Sequence, residues 1–324
     1  MNNDTLTVLA ERLKLASRVL VVSHIRPDGD AIGSLLGLGL ALEAAGIDVE
    51  MALNDGIPHS FNHLPGVEKV RKRVDGSFDL VVVLDCSDPQ RVGGVLDRYS
   101  PPDVNIDHHV SNLQYAKLNL VDTEAVATAE ILARIFPTLG LTITKEVAAG
   151  LLTGLITDTI GFRTANVTPD VLRLAASLME VGADLHTLYN RALVEKSFLA
   201  SRYWGAGLAN LQKNEGIVWT ALSLEDRERV GYPGRDDADL INFLSAIEEA
   251  QIAIIFVQQS PDCVKVSWRS QGGIDVSKLA EQYGGGGHAA AAGAEIHGCP
   301  YEIQEQVLFA TKHFLENEQG KQSE

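Results

Sequence analysis

The sequence predicts an α/β protein, with a helix-covered parallel sheet in its first half and a second, smaller α/β domain behind it. Three observations predict this. Strand-length apolar runs alternate with helical patterns from residue 18 onward, as in successive β-α units. The run FDLVVVLD at 78–85 is apolar almost without a break, which suits a strand buried on both faces. After a mainly helical stretch, new strand-like runs begin at residue 216.

In chain order, Asn3 or Asp4 caps a first helix that reaches about Ser17. RVLVVSH at 18–24 is a buried strand, a helix over 30–45 is ended by Gly46, and IDVEMAL at 47–53 is the second strand. FDLVVVLD and DVNID, at 103–107, follow, and each ends in an acid. Helices are expected over 124–139, 144–158 and 168–181, the last with Pro169 at its first position and Gly182 closing it. A mainly helical stretch at 184–211 leads to the strands GIVWTAL (216–222), IAIIFVQ (252–258) and CVKVSWRS (263–270). Further helices are expected over 237–249, over 276–283 with Asp275 as cap, and over 301–315, where Ile303, Val307, Leu308, Phe314 and Leu315 recur at helical spacing. The expected boundaries are 1–190 for the first domain, 191–215 for a helical linker and 216–324 for the second domain, with 316–324 fraying.

Composition narrows the function. The 324 residues, 45% hydrophobic, can build two cores and are not those of a disordered or fibrous chain. A net charge of −16, from 27 Lys and Arg against 43 Asp and Glu, argues against a cationic track for long nucleic acid. A small phosphorylated ligand is compatible with that charge if metal ions neutralise it. Cys86, Cys263 and Cys299 form no CxxC pair, so neither a disulfide framework nor a structural zinc site is indicated. The N-terminus carries no h-region, and no run approaches the roughly 18 apolar residues of a membrane span, so a cytoplasmic protein is expected.

The chemistry concentrates where apolar runs end. In open α/β sheets ligands bind beyond the carboxyl ends of the strands, so His24, Asp85 and Asp107 with its neighbours should converge on one crevice. SHIRPDGDAIGS (23–34) adds Asp28 and Asp30 to His24, and NIDHHVSN adds His108 and His109 to Asp107. In GLLTGLITDTIGF (150–162), Asp158 is the lone acid after a long apolar stretch. Each segment alone has a plain reading, as a solvated Asp-Gly turn or a helix cap. Together they place carboxylates and imidazoles at the ends of four buried elements, a hard donor set that suits Mn²⁺ best, with Mg²⁺, Co²⁺ or Zn²⁺ behind it.

With those segments, and with GGGGHAAAAG at 284–293 behind them, the chain resembles the DHH phosphoesterases that carry a C-terminal DHHA1 domain. The likeness spans nearly the whole chain. The two-domain length and the WRS before GGGGH resemble the nanoRNase type, which degrades very short oligoribonucleotides and often removes the 3′-phosphate of adenosine 3′,5′-bisphosphate. The resemblance implies a Rossmann-like DHH domain and a smaller α/β DHHA1 domain. It implies that His24 and Asp28 hold one Mn²⁺, that Asp30, His108 and Asp158 hold a second, and that Asp85 bridges them. Two ions about 3.5 to 4 Å apart acidify a water and clamp phosphoryl oxygens. On this likeness His109 contacts the scissile phosphate, and Asp107 orients an imidazole from behind.

For the second domain, the expected substrate contacts are Arg269, Ser270, His288 and the backbone of Gly285, Gly286 and Gly287. The substrate is expected to be held by both domains. Trp268 stands close enough to Arg269 to stack a base, although Trp204, Trp219 and Trp268 all read first as core or interdomain residues. Cys86 reads as packed core, and Arg71-Lys72-Arg73 as a solvated face. Two departures stand out: Ile160 before GFRT, which leaves the role of Arg163 open, and Ala289 after His288.

The leading expectation is therefore a Mn²⁺-dependent phosphodiesterase acting on oligoribonucleotides of a few nucleotides, with a nucleoside bisphosphate as further substrate. The alternative is a hydrolase of cyclic or linear dinucleotides such as c-di-AMP or pApA. A manganese pyrophosphatase fits less well, because the second domain lacks its Lys/Arg-rich motif. A RecJ-like processive exonuclease would need a longer chain, and the intact set of His and Asp argues against a noncatalytic nucleotide-binding protein. Homodimerisation is left open.

Overall fold

The computed structural model describes residues 3–99, 101–271 and 273–322, with side chains described for those from 5 to 318. The side chains of Asn3 and Asp4, expected to cap the first helix, lie outside the described residues. The chain divides into two units, Met1–Glu195 and Lys196–Glu324. No helix among the described residues is long and apolar enough to cross a membrane.

The first unit runs α1 (Asn3–Leu15), β1 (Arg18–Val22), α2 (Gly29–Ala44), β2 (Asp48–Ala52), β3 (Leu80–Leu84), β4 (Val104–Asp107), β5 (Leu118–Val121), α3 (Thr128–Leu139), α4 (Lys145–Asp158), α5 (Pro169–Val181) and α6 (Leu185–Tyr189). Its five strands form an all-parallel sheet in the order β2-β1-β3-β4-β5. The chain moves outward from β1 to β2 and then crosses back to β3, so the strand order reverses between β1 and β3. That switch point opens a crevice at the carboxyl ends of those two strands.

Strand alternation divides the core. Val19 and Val21 of β1 face a large cluster with α1 to α5, whereas Leu20 and Val22 face a thinner layer built on Val92, Val95 and Leu96 of the 3₁₀ segment Pro89–Leu96. Against the first face, α2 and α4 approach almost backbone to backbone. A Cβ on Gly33 would stand 2.3 Å from the Gly150 carbonyl oxygen, and one on Gly154 would stand 2.5 Å from Asp30 Oδ1. Glycine at these positions lets the start of α2 and the end of α4, with Asp30 and Asp158, come together.

The second unit runs α7 (Phe198–Ala209), β6 (Gln212–Asn214), β7 (Ile217–Leu222), α8 (Leu224–Val230), α9 (Leu240–Leu244), β8 (Ile252–Ser260), β9 (Cys263–Ser270), α10 (Ser277–Glu281), β10 (Gly286–His288), β11 (Ala291–His297) and α11 (Pro300–Gln322). Its sheet has the order β10-β11-β9-β8-β7-β6 and is antiparallel except between β7 and β8. Trp268, Val266 and Ile254 pack on one side with α10 and α11 residues, and Tyr203 and Leu240 pack on the other.

Several elements differ from expectation. The segment 191–215, expected as a helical linker, does contain a helix, α7, and its Tyr203 is fully buried in the core of the second unit. The helix expected over 237–249 shrinks to Leu240–Leu244, because Ala238 and Asp239 take φ of +52° and +66° and block a right-handed start. The α10 helix is shorter than 276–283, and Asp275 accepts from the N–H and hydroxyl of Ser277. Over 316–322, where fraying is expected, α11 continues through Gln322; residues 323 and 324 lie outside the described residues. Strands β5, β6, β10 and β11 and helix α8 were not anticipated.

Candidate metal centre

Four segments of the first unit deliver the donors. His24 follows β1, and its Nδ1 sits 2.8 Å from the Ile25 carbonyl oxygen, an acceptor, so the hydrogen belongs on Nδ1 and Nε2 faces inward. His108 repeats the arrangement, with Nδ1 3.2 Å from the Ala125 carbonyl oxygen. Asp28, rather than Asp30, caps α2: its Oδ1 accepts from the N–H groups of Asp30 and Ala31, while Oδ2 lies 3.8 Å from His24 Nε2.

Asp85 stands at the centre. It leaves β3 with φ of +51°, a left-handed backbone that a carboxylate residue adopts at some cost and that turns its side chain into the crevice. Its Oδ2 is 3.6 Å from His24 Nε2, and its Oδ1 is 3.6 Å from His108 Nε2 and 3.7 Å from His109 Nδ1. Three groups of potential donors therefore share it, His24-Asp28-Asp85, Asp30-Asp85-His108 and Asp85-Asp107-His109, each with ligand atoms within 4.8 Å of one another. Asp158, at the end of α4, places Oδ2 3.2 Å from His108 Nε2.

Thr128 and Ala129, which the sequence reading did not single out, support this set together with Ser34 and Asp107. The start of α3 has no capping side chain of its own; instead the N–H groups of Thr128 and Ala129 donate to Asp30 at 2.6 and 3.0 Å. Ser34 donates to Asp30 Oδ1, and the Thr128 hydroxyl donates to Asp85 Oδ1 at 3.1 Å. Asp107, fully buried at the end of β4, accepts on Oδ1 from His109 Nδ1 at 2.7 Å and from the His108 N–H at 2.9 Å.

Electrostatics distinguishes the carboxyl groups. Burial, and then the Asp85 charge, pushes Asp30 up to about 7, and burial with the Asp30 charge raises Asp158 well above the carboxylate range. Burial acts upward on Asp85 too, but the His24 hydrogen bond and the His109 and His108 charges hold it below its ordinary value. Burial pulls His24, His108 and His109 down. The Asp85 hydrogen bond and the Asp28 charge more than offset this at His24, the Asp85 and Asp30 charges do so at His108, and the Asp107 hydrogen bond and Asp85 charge do so at His109, so all three lie above ordinary imidazole values.

Asp30 and Asp85 are 1% and 2% exposed. Burial and crowding keep protons on Asp30 and Asp158 unless cations replace them, while the imidazoles hold Asp85 as a carboxylate, so the residues fit divalent ions. Cys86 is buried beside the site and its thiol is pushed up to about 12, principally by burial, which makes it packing and not a nucleophile. Arg71, Lys72 and Arg73 are all exposed.

In the second unit the expected contacts have structural partners. Arg269 is half-buried, and its Nε and Nη1 donate to Asn242 Oδ1 at 3.4 Å and to the Trp268 carbonyl oxygen at 3.0 Å. The Ser270 hydroxyl donates to the Ile274 and Ala289 carbonyl oxygens and so holds the turn after β9. Gly286 and Gly287 open a strand: β10 pairs with β11, and a Cβ on Gly287, or on Gly285 just before it, would stand 2.4 or 2.2 Å from a β11 carbonyl oxygen. Gly286 meets nothing within 4 Å, and His288 pairs in register with Ala291. Trp268 is fully buried and donates its indole N–H to Thr311, so it cannot stack a base.

Comparison with known proteins agrees with this geometry. Residues 18–155 match the DHH family, N-terminal domain, and residues 229–317 match the DHHA1 domain. The chain is 34% identical to the bifunctional oligoribonuclease and PAP phosphatase NrnA of Thermus thermophilus, over 96% of this chain and 95% of that one. It is 26% identical to the protein of the same description from Bacillus subtilis, over 90% and 93% of the two chains. Among solved structures, an exopolyphosphatase-related protein from Bacteroides fragilis superposes with a TM-score of 0.88 at 24% identity, covering 97% and 98% of the two chains.

Proposed function

The chain belongs to the DHH phosphoesterase family with a C-terminal DHHA1 domain, and from that premise we propose that it hydrolyses short oligoribonucleotides and removes the 3′-phosphate of adenosine 3′,5′-bisphosphate. The observation that carries this reading is the Asp85 carboxylate, whose two oxygens face two separate donor groups. The near full-length similarity to a protein described as an oligoribonuclease and PAP phosphatase supports the substrate class.

His24 and Asp28 would hold one divalent ion, Asp30, His108 and Asp158 a second, and Asp85 both, with Mn²⁺ as the ion for this mixed carboxylate and imidazole set. Such ions supply positive charge for phosphoryl oxygens and make a water acidic. Asp107 fixes the His109 ring through Nδ1, so that His109 can donate to the phosphoryl group as charge builds. Arg269, His288 and the Gly285–Gly287 backbone would contact the nucleotide, with Ser270 shaping the turn behind them.

The test is purified protein with Mn²⁺, presented in parallel with pApA, a five-mer RNA, a long RNA, adenosine 3′,5′-bisphosphate and pyrophosphate. Turnover of the short RNAs and the bisphosphate is expected. Preference for pyrophosphate or long RNA, or turnover that persists in chelator, would refute the reading.

A further inference from the structure

Asn112 lies five residues past Asp107 and belongs to none of the donor groups, yet both ends of its side-chain amide are hydrogen-bonded. Nδ2 donates to Asp107 Oδ2 at 2.5 Å and to Asn105 Oδ1 at 2.7 Å, and Oδ1 accepts from the Gln114 N–H at 2.7 Å. Two acceptors on one side and one donor on the other leave only one orientation for the amide. Asn105 is itself fully buried, and its Nδ2 contacts the Val83 and Cys86 carbonyl oxygens and the Tyr115 hydroxyl. One end of the chain of contacts is thus anchored in β3 and β4.

The other end reaches His109. Asp107 Oδ1 takes the His108 N–H and His109 Nδ1, while Oδ2 takes Asn112. Without the amide, a fully buried carboxylate oxygen loses a partner and Asp107 gains freedom to rotate. We propose that Asn112 is a positioning residue: through Asp107 it sets the orientation of the His109 imidazole, while the metal donors His24, Asp28, Asp30, Asp85, His108 and Asp158 do not depend on it. The loop it closes is well secured, with the Leu113 N–H donating to the Ser87 carbonyl oxygen and Gln114 held at φ of +50°.

The inference rests on the phosphoesterase reading for its kinetic arm only. In that arm, Asn112→Ala lowers kcat on a dinucleotide about 10- to 100-fold, the range for partners that orient a functional group, with KM and Mn²⁺ affinity within about threefold of the parent. A double-mutant cycle with His109→Ala identifies the route. If Asn112 acts through His109, adding Asn112→Ala to His109→Ala lowers kcat by less than about twofold.

The second arm needs no turnover. In ¹⁵N-histidine-labelled protein without Mn²⁺, the ring nitrogens of His109, assigned with His109→Gln, shift on Asn112→Ala, while those of His24 and His108 stay in place. Multiplicative losses in the cycle, or a parallel loss of Mn²⁺ affinity, would overturn the proposal, as would an unmoved His109 spectrum. Absence of parental hydrolysis with a shifted spectrum would instead overturn the functional reading and leave the positioning role standing.

Discussion

Asp85 shows how much chemistry a single position carries. Its positive φ, its 2% exposure and its three imidazole neighbours make it expensive to keep without a charge to balance. Asparagine keeps the shape and tolerates the left-handed backbone, so Asp85→Asn should fold with a melting temperature close to the parent's. Metal-dependent turnover should fall by more than about 100-fold, the upper end for groups that merely orient a ligand. Near-normal turnover at saturating Mn²⁺ would remove Asp85 from the shared position. The same residues predict a pH signature. Asp30 has a folded pKa near 7, so its stabilising contribution is present below about pH 4 and is lost as pH rises through 7. His24, His108 and His109 are raised too, and their contributions are lost as pH rises through their folded values. Asp85 has the opposite sign and loses its contribution only in acid. Protein stripped of divalent ions should therefore melt lower at pH 8 than at pH 6, and the rise in melting temperature on adding Mn²⁺ should be larger at pH 8. Differential scanning calorimetry of chelated and Mn²⁺-loaded protein checks this; equal increments at both pH values would contradict it.

Between elements, the glycine contact of α2 with α4 decides where two carboxylates meet. A methyl group on Gly154 would intrude on Asp30 Oδ1 at 2.5 Å and on Ala129 Cβ at 2.6 Å. Gly154→Ala should cost about 1–3 kcal/mol by overpacking and should weaken Mn²⁺ binding by displacing Asp30. Gly205→Ala, in α7, meets nothing within 4 Å and should be neutral or stabilising by up to about 1 kcal/mol. Thermal unfolding and Mn²⁺ titration of the two variants compare them; equal behaviour would mean that α2 and α4 can spread without consequence. The sequence made β1, β3 and β4 legible because their apolar runs end abruptly in His or Asp, an anomaly that also marked His24, Asp85 and Asp107, as the lone acid after an apolar helix marked Asp158. It hid β10 and β11, since glycine and alanine carry no strand signal and only the close pairing of Gly285 and Gly287 with β11 explains them. Thr128 and Asn112 were hidden for another reason. Their roles depend on carboxylates 98 and 5 residues away, and no local pattern announces either.

Across the whole molecule, a net charge of −16 sets the terms for an anionic substrate. Repulsion from distant acids fades within the roughly 8–10 Å screening length at physiological salt, so recognition falls to cations in direct contact with a phosphate. In the second unit Arg269 is suited to that work: its Nε and Nη1 are already directed by Asn242 and the Trp268 carbonyl oxygen, so little side-chain entropy remains to be lost on binding. Arg269→Ala should lower kcat/KM for a dinucleotide by about 10- to 100-fold, equivalent to about 1.4–3 kcal/mol for a lost charge-assisted contact. Arg269→Lys keeps the charge without the planar fork and should recover only part of the loss. Hydrolysis of bis-p-nitrophenyl phosphate, which offers no second phosphate, should change by less than about twofold in both variants. Because Arg269 also ties β9 to α9 through Asn242, the melting temperature of each variant must accompany the kinetics. Equal losses on both substrates, or losses that follow the fall in melting temperature, would show that Arg269 supports the fold of the second unit and does not recognise the substrate.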